Sequence, residues 1–133
     1  MNGSLPHILI VEGEYLIALD AEYQIKAAMD CRVSVMRLEQ VDEQRDLDLR
    51  TVDLCLMDLP LDPSPALRRA RRLLDLDVTM LFTTVCESHR AGVAGFEKIP
   101  IVMKPYNGDH LRDTVAEATK REGSKTPATR GQN

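Results

Sequence analysis

The sequence predicts an α/β fold, a doubly wound five-stranded parallel sheet joined by crossover helices, and two observations carry that prediction. Short apolar runs alternate along the 133 residues with stretches that repeat apolar residues at helical spacing, the order that parallel strands and their crossovers require. The first run, "HILIV", also lacks polar alternation, as expected of a central strand covered on both faces.

Each element has its own signal. His7–Val11 is strand one. In the next segment Leu16, Leu19, Tyr23 and Ala27, flanked by Ile17, Ala21, Ile25 and Ala28, make a wide apolar face at helical spacing, with Asp20, Glu22, Gln24 and Lys26 opposite, and this is helix one. Arg32–Met36 is strand two, and the charge-rich residues 38–50 form a weak helix. Residues 52–57 are strand three, stopped by Asp58 and the breaker-rich "DLPLDPSPA", where Ser64 supplies an N-cap and Pro65 the first position of helix three, residues 65–74. "DVTMLFTT" is strand four, "PIVMK" a short strand five, and residues 109–120 a last helix with Leu111, Val115 and Ala118 on one face. Between strands four and five lies only "VCESHRAGVAGFEKI", whose two glycines predict a short or irregular fourth helix and a concentration of mobility.

With 44% apolar residues the chain can build one core but not two, so residues 1–121 read as one domain. The final stretch "EGSKTPATRGQN", 122–133, has almost nothing to bury and is expected to be a disordered tail with no output domain after it. A net charge of −4 gives no field that would gather nucleic acid or an anionic membrane surface. No apolar stretch approaches the roughly 20 residues needed to span a bilayer, and the features of a signal peptide are missing, so the chain reads as cytoplasmic. Three cysteines, Cys31, Cys55 and Cys86, fit no metal or redox spacing and read as reduced thiols in or near the core.

In an open parallel sheet the ligand site lies beyond the carboxyl ends of the strands, where strand order reverses. Glu12 and Glu14 follow strand one, Asp58 follows strand three, Thr83 and Thr84 end strand four, and Lys104, followed by Pro105, ends strand five. Acids, a hydroxyl and a lysine converging from these places suit phosphoryl transfer to a carboxylate. One aspartate attacks, a divalent cation neutralises phosphoryl oxygens, and lysine and hydroxyl hold the rest.

In "HILIVEGEYLIAL", "DLCLMDLPL", "MLFTT" and "VMKPY" the chain resembles the receiver domain of bacterial two-component response regulators over about residues 7–120. It looks closest to small stand-alone receivers of the FAT GUY type, whose "FATG" segment falls on Phe82, Thr83, Thr84 and Val85. The resemblance implies a flavodoxin-like (βα)5 receiver fold. It implies Asp58 as phosphoacceptor, Thr84 as the conserved hydroxyl and Lys104 as the invariant lysine. It further implies a Mg²⁺ site of Glu12, Asp58 and the Pro60 backbone carbonyl. The implied partner is a histidine kinase or histidine phosphotransfer protein in a phosphorelay, and the face of strand five and the last helix is where similar domains pair. The implied role is a signalling phosphoacceptor, with self-catalysed phosphotransfer and dephosphorylation at most.

Three departures bear on that role. "VEGE" stands where similar domains have "VEDE", so Gly13 removes a direct Mg²⁺ ligand and weak cation binding is expected. Glu14 reads equally as a first-turn acid favoured by the helix dipole or as a ligand reaching the cation through water. Losing an acid also relieves repulsion, since two carboxylates about 4 Å apart interact by roughly 4 kcal/mol at an effective dielectric near 20. Val85 replaces a small residue and is expected to crowd the approach to Asp58, and Ile101 stands where many receivers carry a switch aromatic, so any response must run through other packing.

Taken singly the residues have plainer readings. Asp58 fits a turn-initiating aspartate and Lys104 a solvated lysine, their weight coming from the shared register and from the extended pre-proline position. Thr84 is favoured over Thr83 by its interval to Lys104, although one residue of slippage exchanges their faces. The run "LRRARRLLDLD" reads by default as a solvated arginine face over inward Leu67, Ala70 and Leu74, or else as a docking surface for an acidic partner. His7, His89 and His110 lack ligand spacing, and Met57, Met80 and Met103 read as core. Two functions remain: a phosphoacceptor, or a degenerate receiver that binds proteins without phosphorylation. A dinucleotide-binding domain fails for want of a G-x-G-x-x-G after any strand.

Overall fold

The computed structural model describes residues 5–123. Five strands, β1 His7–Val11, β2 Arg32–Met36, β3 Leu54–Asp58, β4 Thr79–Thr84 and β5 Ile101–Met103, form one parallel sheet in the order β2-β1-β3-β4-β5. The doubly wound expectation is met. Strand order reverses beside β1, so a crevice opens between the carboxyl ends of β1 and β3.

Alternation along the strands divides the core in two. Ile8, Ile10, Leu54, Leu56, Leu81 and Val102 pack against helix α1, Tyr15–Ala28, and helix α5, Gly108–Gly123. Leu9, Val11, Cys55, Met57, Met80 and Phe82 face the other way, towards helices α2 (Leu38–Val41), α3 (Asp46–Leu49) and α4 (Ser64–Asp75). Both faces of every central strand are thereby dry, which is why β1 and β3 carry no polar alternation.

Helix α1 narrows the expected face to its flank, where Ala21 and Ile25 lie. Ala18, Ala21 and Ile25 are the buried positions, whereas Tyr15, Leu16, Leu19 and Tyr23 are exposed and Ala27 lies outside with them. Small residues let the helix approach the sheet closely, and the larger apolar side chains are left on the outer surface. The weak helix is in fact two single turns, α2 and α3, each too short to persist alone. Val41 and Leu49 anchor them in the core, and Arg72 of α4 donates to the carbonyls of Val41 and Gln44 at the break and to the Asp46 carboxylate.

The arginine run is accordingly not a solvated face throughout. Arg69 binds Asp42 through two nitrogens, at 2.6 and 3.0 Å, and Arg71 stacks over the Phe96 ring at 4.7 Å from its centroid. The buried positions beneath are Ala66, Ala70 and Leu73, with Leu67 and Leu74 partly covered. At the start of α4 the carboxylate of Asp62, not Ser64, accepts a main-chain N–H, that of Ser64, at 3.2 Å.

Where a fourth crossover helix would lie there is one 3-10 turn, Glu87–His89, and Gly92 (φ 118°) and Gly95 (φ 85°) adopt backbone that side chains disfavour. Phe96 closes the space against Phe82, ring centroids 6.0 Å apart. Helix α5 continues through Glu122 to Gly123, past its expected end, and the remainder of the predicted tail lies outside the described residues. Among the described residues no helix is long and apolar enough to cross a membrane.

Candidate functional site

The carboxyl ends of β1, β3 and β5 bring three charged side chains together. Lys104 Nζ donates to Glu12 Oε1 at 2.7 Å and to Asp58 Oδ1 at 2.5 Å, bridging residues that are 92 and 46 positions away in the chain. Glu12 and Lys104 are almost sealed, with side-chain exposures of 3% and 5%, while Asp58 keeps 29%. Of the two carboxylates, Asp58 is therefore the one that a reactant can touch. Burial alone would lower the Lys104 pKa, but the hydrogen bonds and charges of Asp58 and Glu12 outweigh it and hold the ammonium above the ordinary lysine value.

Main-chain register places the rest. Lys104 N–H donates to the Thr84 carbonyl at 2.8 Å, continuing the β4–β5 ladder, and Glu12 N–H donates to the Met36 carbonyl at 3.0 Å. Glu14, exposed at the N-cap of α1, contributes its backbone N–H to Glu12 Oε2 at 3.0 Å, so both oxygens of Glu12 are engaged.

The two threonines separate. Asp58 pairs in register with Thr83, and paired residues on neighbouring strands share a face. Thr84 points the other way: its hydroxyl donates to the Leu59 carbonyl at 2.7 Å and accepts from Cys86 N–H at 3.0 Å. Thr83 thus takes the place on the Asp58 face that the family interval assigns to Thr84. Val85, directly after Thr84, is 60% exposed.

Two residues were not foreseen. Tyr106, two positions beyond Lys104, packs against the α1–α5 core and hydrogen-bonds the Thr83 side chain. Burial pushes its phenol pKa up, the Thr83 bond pulls it down, and the charges of Glu12, Asp58 and Asp20 add to the rise. A neutral phenol is favoured in the fold, so the stability gained is present below the ordinary phenol value and lost as pH climbs beyond it. An ultraviolet titration is expected to show one tyrosine ionising above the ordinary range, a step absent from Tyr106→Phe; identical curves would contradict the buried placement. The signal for Tyr106 was present in "KPY", but only tertiary packing gives it meaning. His89, whose ring is nearly buried on the 3-10 turn, donates Nε2–H to the Pro60 carbonyl at 2.9 Å, a contact without any spacing signature. Since a carbonyl only accepts, the proton is on Nε2.

The donor set does not form a ready Mg²⁺ centre. Position 13 has no side chain, Glu12 is held by Lys104 and the Glu14 N–H, Asp58 Oδ1 by Lys104, and the Pro60 oxygen by His89. Among the described residues no cluster of three or more His, Cys, Asp or Glu side chains could hold a metal ion.

Against proteins of known structure this architecture has a clear counterpart, the receiver fold. The chain is similar to the response regulator receiver domain of PhyR from Erythrobacter litoralis, with 23% identity, 93% of this chain and 96% of that one covered, and a TM-score of 0.72. It is similar to the signal receiver domain of an HD domain-containing protein from Pseudomonas fluorescens Pf-5, at 20% identity over 91% and 99% of the two chains, TM-score 0.72. A response regulator receiver protein from Sinorhizobium medicae WSM419 gives 15%, 92% and 99%, and 0.67. No family model and no curated protein sequence matches the chain. The class is therefore set by shape: a five-stranded, flavodoxin-like receiver fold.

Proposed function

We propose that the chain is a response regulator receiver that accepts a phosphoryl group on Asp58 from a histidine kinase or histidine phosphotransfer protein. The observation that carries this reading is the Lys104 bridge between a sealed Glu12 and a part-exposed Asp58. In the transfer, an Asp58 oxygen attacks phosphorus, the bond from phosphorus to the donor imidazole nitrogen breaks, and the imidazole keeps the electron pair. Lys104 is placed to balance charge on the phosphoryl oxygens as it leaves Asp58 Oδ1, and Thr83 offers a hydroxyl from the same face. The exposed apolar residues Tyr15, Leu16, Leu19 and Tyr23 of α1 begin beside the site and supply a surface for the donor protein. Cation binding is weak in this reading, because Gly13 leaves the site one carboxylate short.

A small-molecule acyl phosphate with Mg²⁺ is expected to add one phosphoryl mass increment to the intact protein and none to Asp58→Asn. A second reading, a binding module not switched by phosphate, is favoured by the engaged Pro60 oxygen and by Ile101 in β5. It wins if excess donor adds no mass while a kinase domain still binds.

A further inference from the structure

The β3–α4 loop is tied to the segment after β4 at two consecutive carbonyls. Thr84 Oγ1 donates to the oxygen of Leu59 at 2.7 Å, and His89 Nε2 to that of Pro60 at 2.9 Å. Thr84 is the last residue of β4, and His89 lies on the turn Glu87–His89, in a stretch that runs with little regular structure to the positive-φ glycines 92 and 95. The two bonded carbonyls directly follow Asp58. We propose that His89 guards the Pro60 carbonyl, so that a divalent cation at Asp58 and Glu12 gains this oxygen only by displacing the imidazole and loosening the Glu87–Gly95 stretch. The proposal rests on reading Asp58 as a phosphoryl and cation site, and it names the residue, beyond Gly13, that makes cation binding weak.

The physical reason is competition for one acceptor. A hydrogen-bonded N–H places a partial positive charge against the oxygen, and a dication sharing that oxygen is repelled by it. The His89 ring meets the loop through this hydrogen bond, so removing Nε2–H frees the oxygen without removing a ligand.

The test is a titration of the intact protein with MgCl₂, followed by amide chemical shifts of Gly13, Asp58 and His89, at one fixed pH. His89→Phe keeps a ring without the donor, and His89→Gln restores an N–H of similar reach. His89→Phe is expected to bind Mg²⁺ about fivefold more tightly than wild type, the worth of one ordinary hydrogen bond, with His89→Gln returning to the wild-type value. Equal or weaker binding by His89→Phe, or no saturable binding in either protein, overturns the proposal. If His89→Phe does not fold, the wild-type titration decides. The His89 ring resonances and amide exchange across residues 87–95 must change along the same saturation curve as Gly13 and Asp58, and an unmoved ring overturns the guard. The phosphoryl mass increment on Asp58 is scored separately, so loss of that increment and failure of the guard are distinct results.

Discussion

Lys104→Met is expected to lower the free energy of unfolding by about 3 kcal/mol at neutral pH, measured by urea denaturation, because one ammonium neutralises a buried carboxylate and a half-buried one. Removing it leaves Glu12, among the described residues, with the Glu14 N–H as its remaining hydrogen-bond partner, inside a sealed pocket. Buried ion pairs contribute little compared with apolar packing, yet breaking one is costly, since the stranded charge keeps its desolvation penalty. Glu12→Gln in the same background should therefore recover much of the loss. A Lys104→Met protein within about 1 kcal/mol of wild type would show that Glu12 finds water or a proton more easily than its burial implies. The pH course has a definite sign. The Lys104 pKa is raised on folding, so its contribution is fully present below the ordinary lysine value and declines only as pH rises through the higher folded value. Between neutrality and the ordinary lysine value the gap between wild type and Lys104→Met should stay constant, and it should shrink above that value.

Gly13→Asp is expected to tighten Mg²⁺ binding roughly tenfold or more, by adding a carboxylate ligand to a set held by few protein donors. The substitution fits sterically: a Cβ at position 13 meets nothing within 4 Å. Without cation the new acid stands near Glu12 and Asp58, and a melt against Gly13→Asn, which adds similar bulk without charge, should show Gly13→Asp less stable by about 1 kcal/mol. Calorimetric titrations that overlay for Gly13→Asp and wild type would mean that the missing side chain does not limit the site. Equal stability of the aspartate and asparagine variants would remove the repulsion argument.

The parallel sheet was readable because burial on both faces leaves an unbroken apolar signature in β1 and at Leu54–Met57 of β3, and Glu12 and Asp58 were readable because each ends such a run, Lys104 because it closes the short apolar β5 before a proline. What escaped was decided by contacts far apart in sequence. Thr83 and Thr84 differ by one position in a strand where both are buried, so only the pairing with Asp58 assigns their faces. Helix α1 is apolar around most of its circumference, and the choice of Ala18, Ala21 and Ile25 as the inner stripe follows from how closely the helix approaches the sheet. The bonds from Arg72 to α2 and α3, and from His89 to Pro60, join residues 26 to 31 positions apart with no repeating pattern to announce them.

Arg69 and Arg72 clamp α4 to the α2–α3 turns at Asp42 and Asp46, while the stretch after β4 is fastened by single side chains. The two flanks are thus held by different chemistry, part-exposed ion pairs on one and neutral hydrogen bonds with the Phe82–Phe96 packing on the other, so added salt should loosen the first and spare the second.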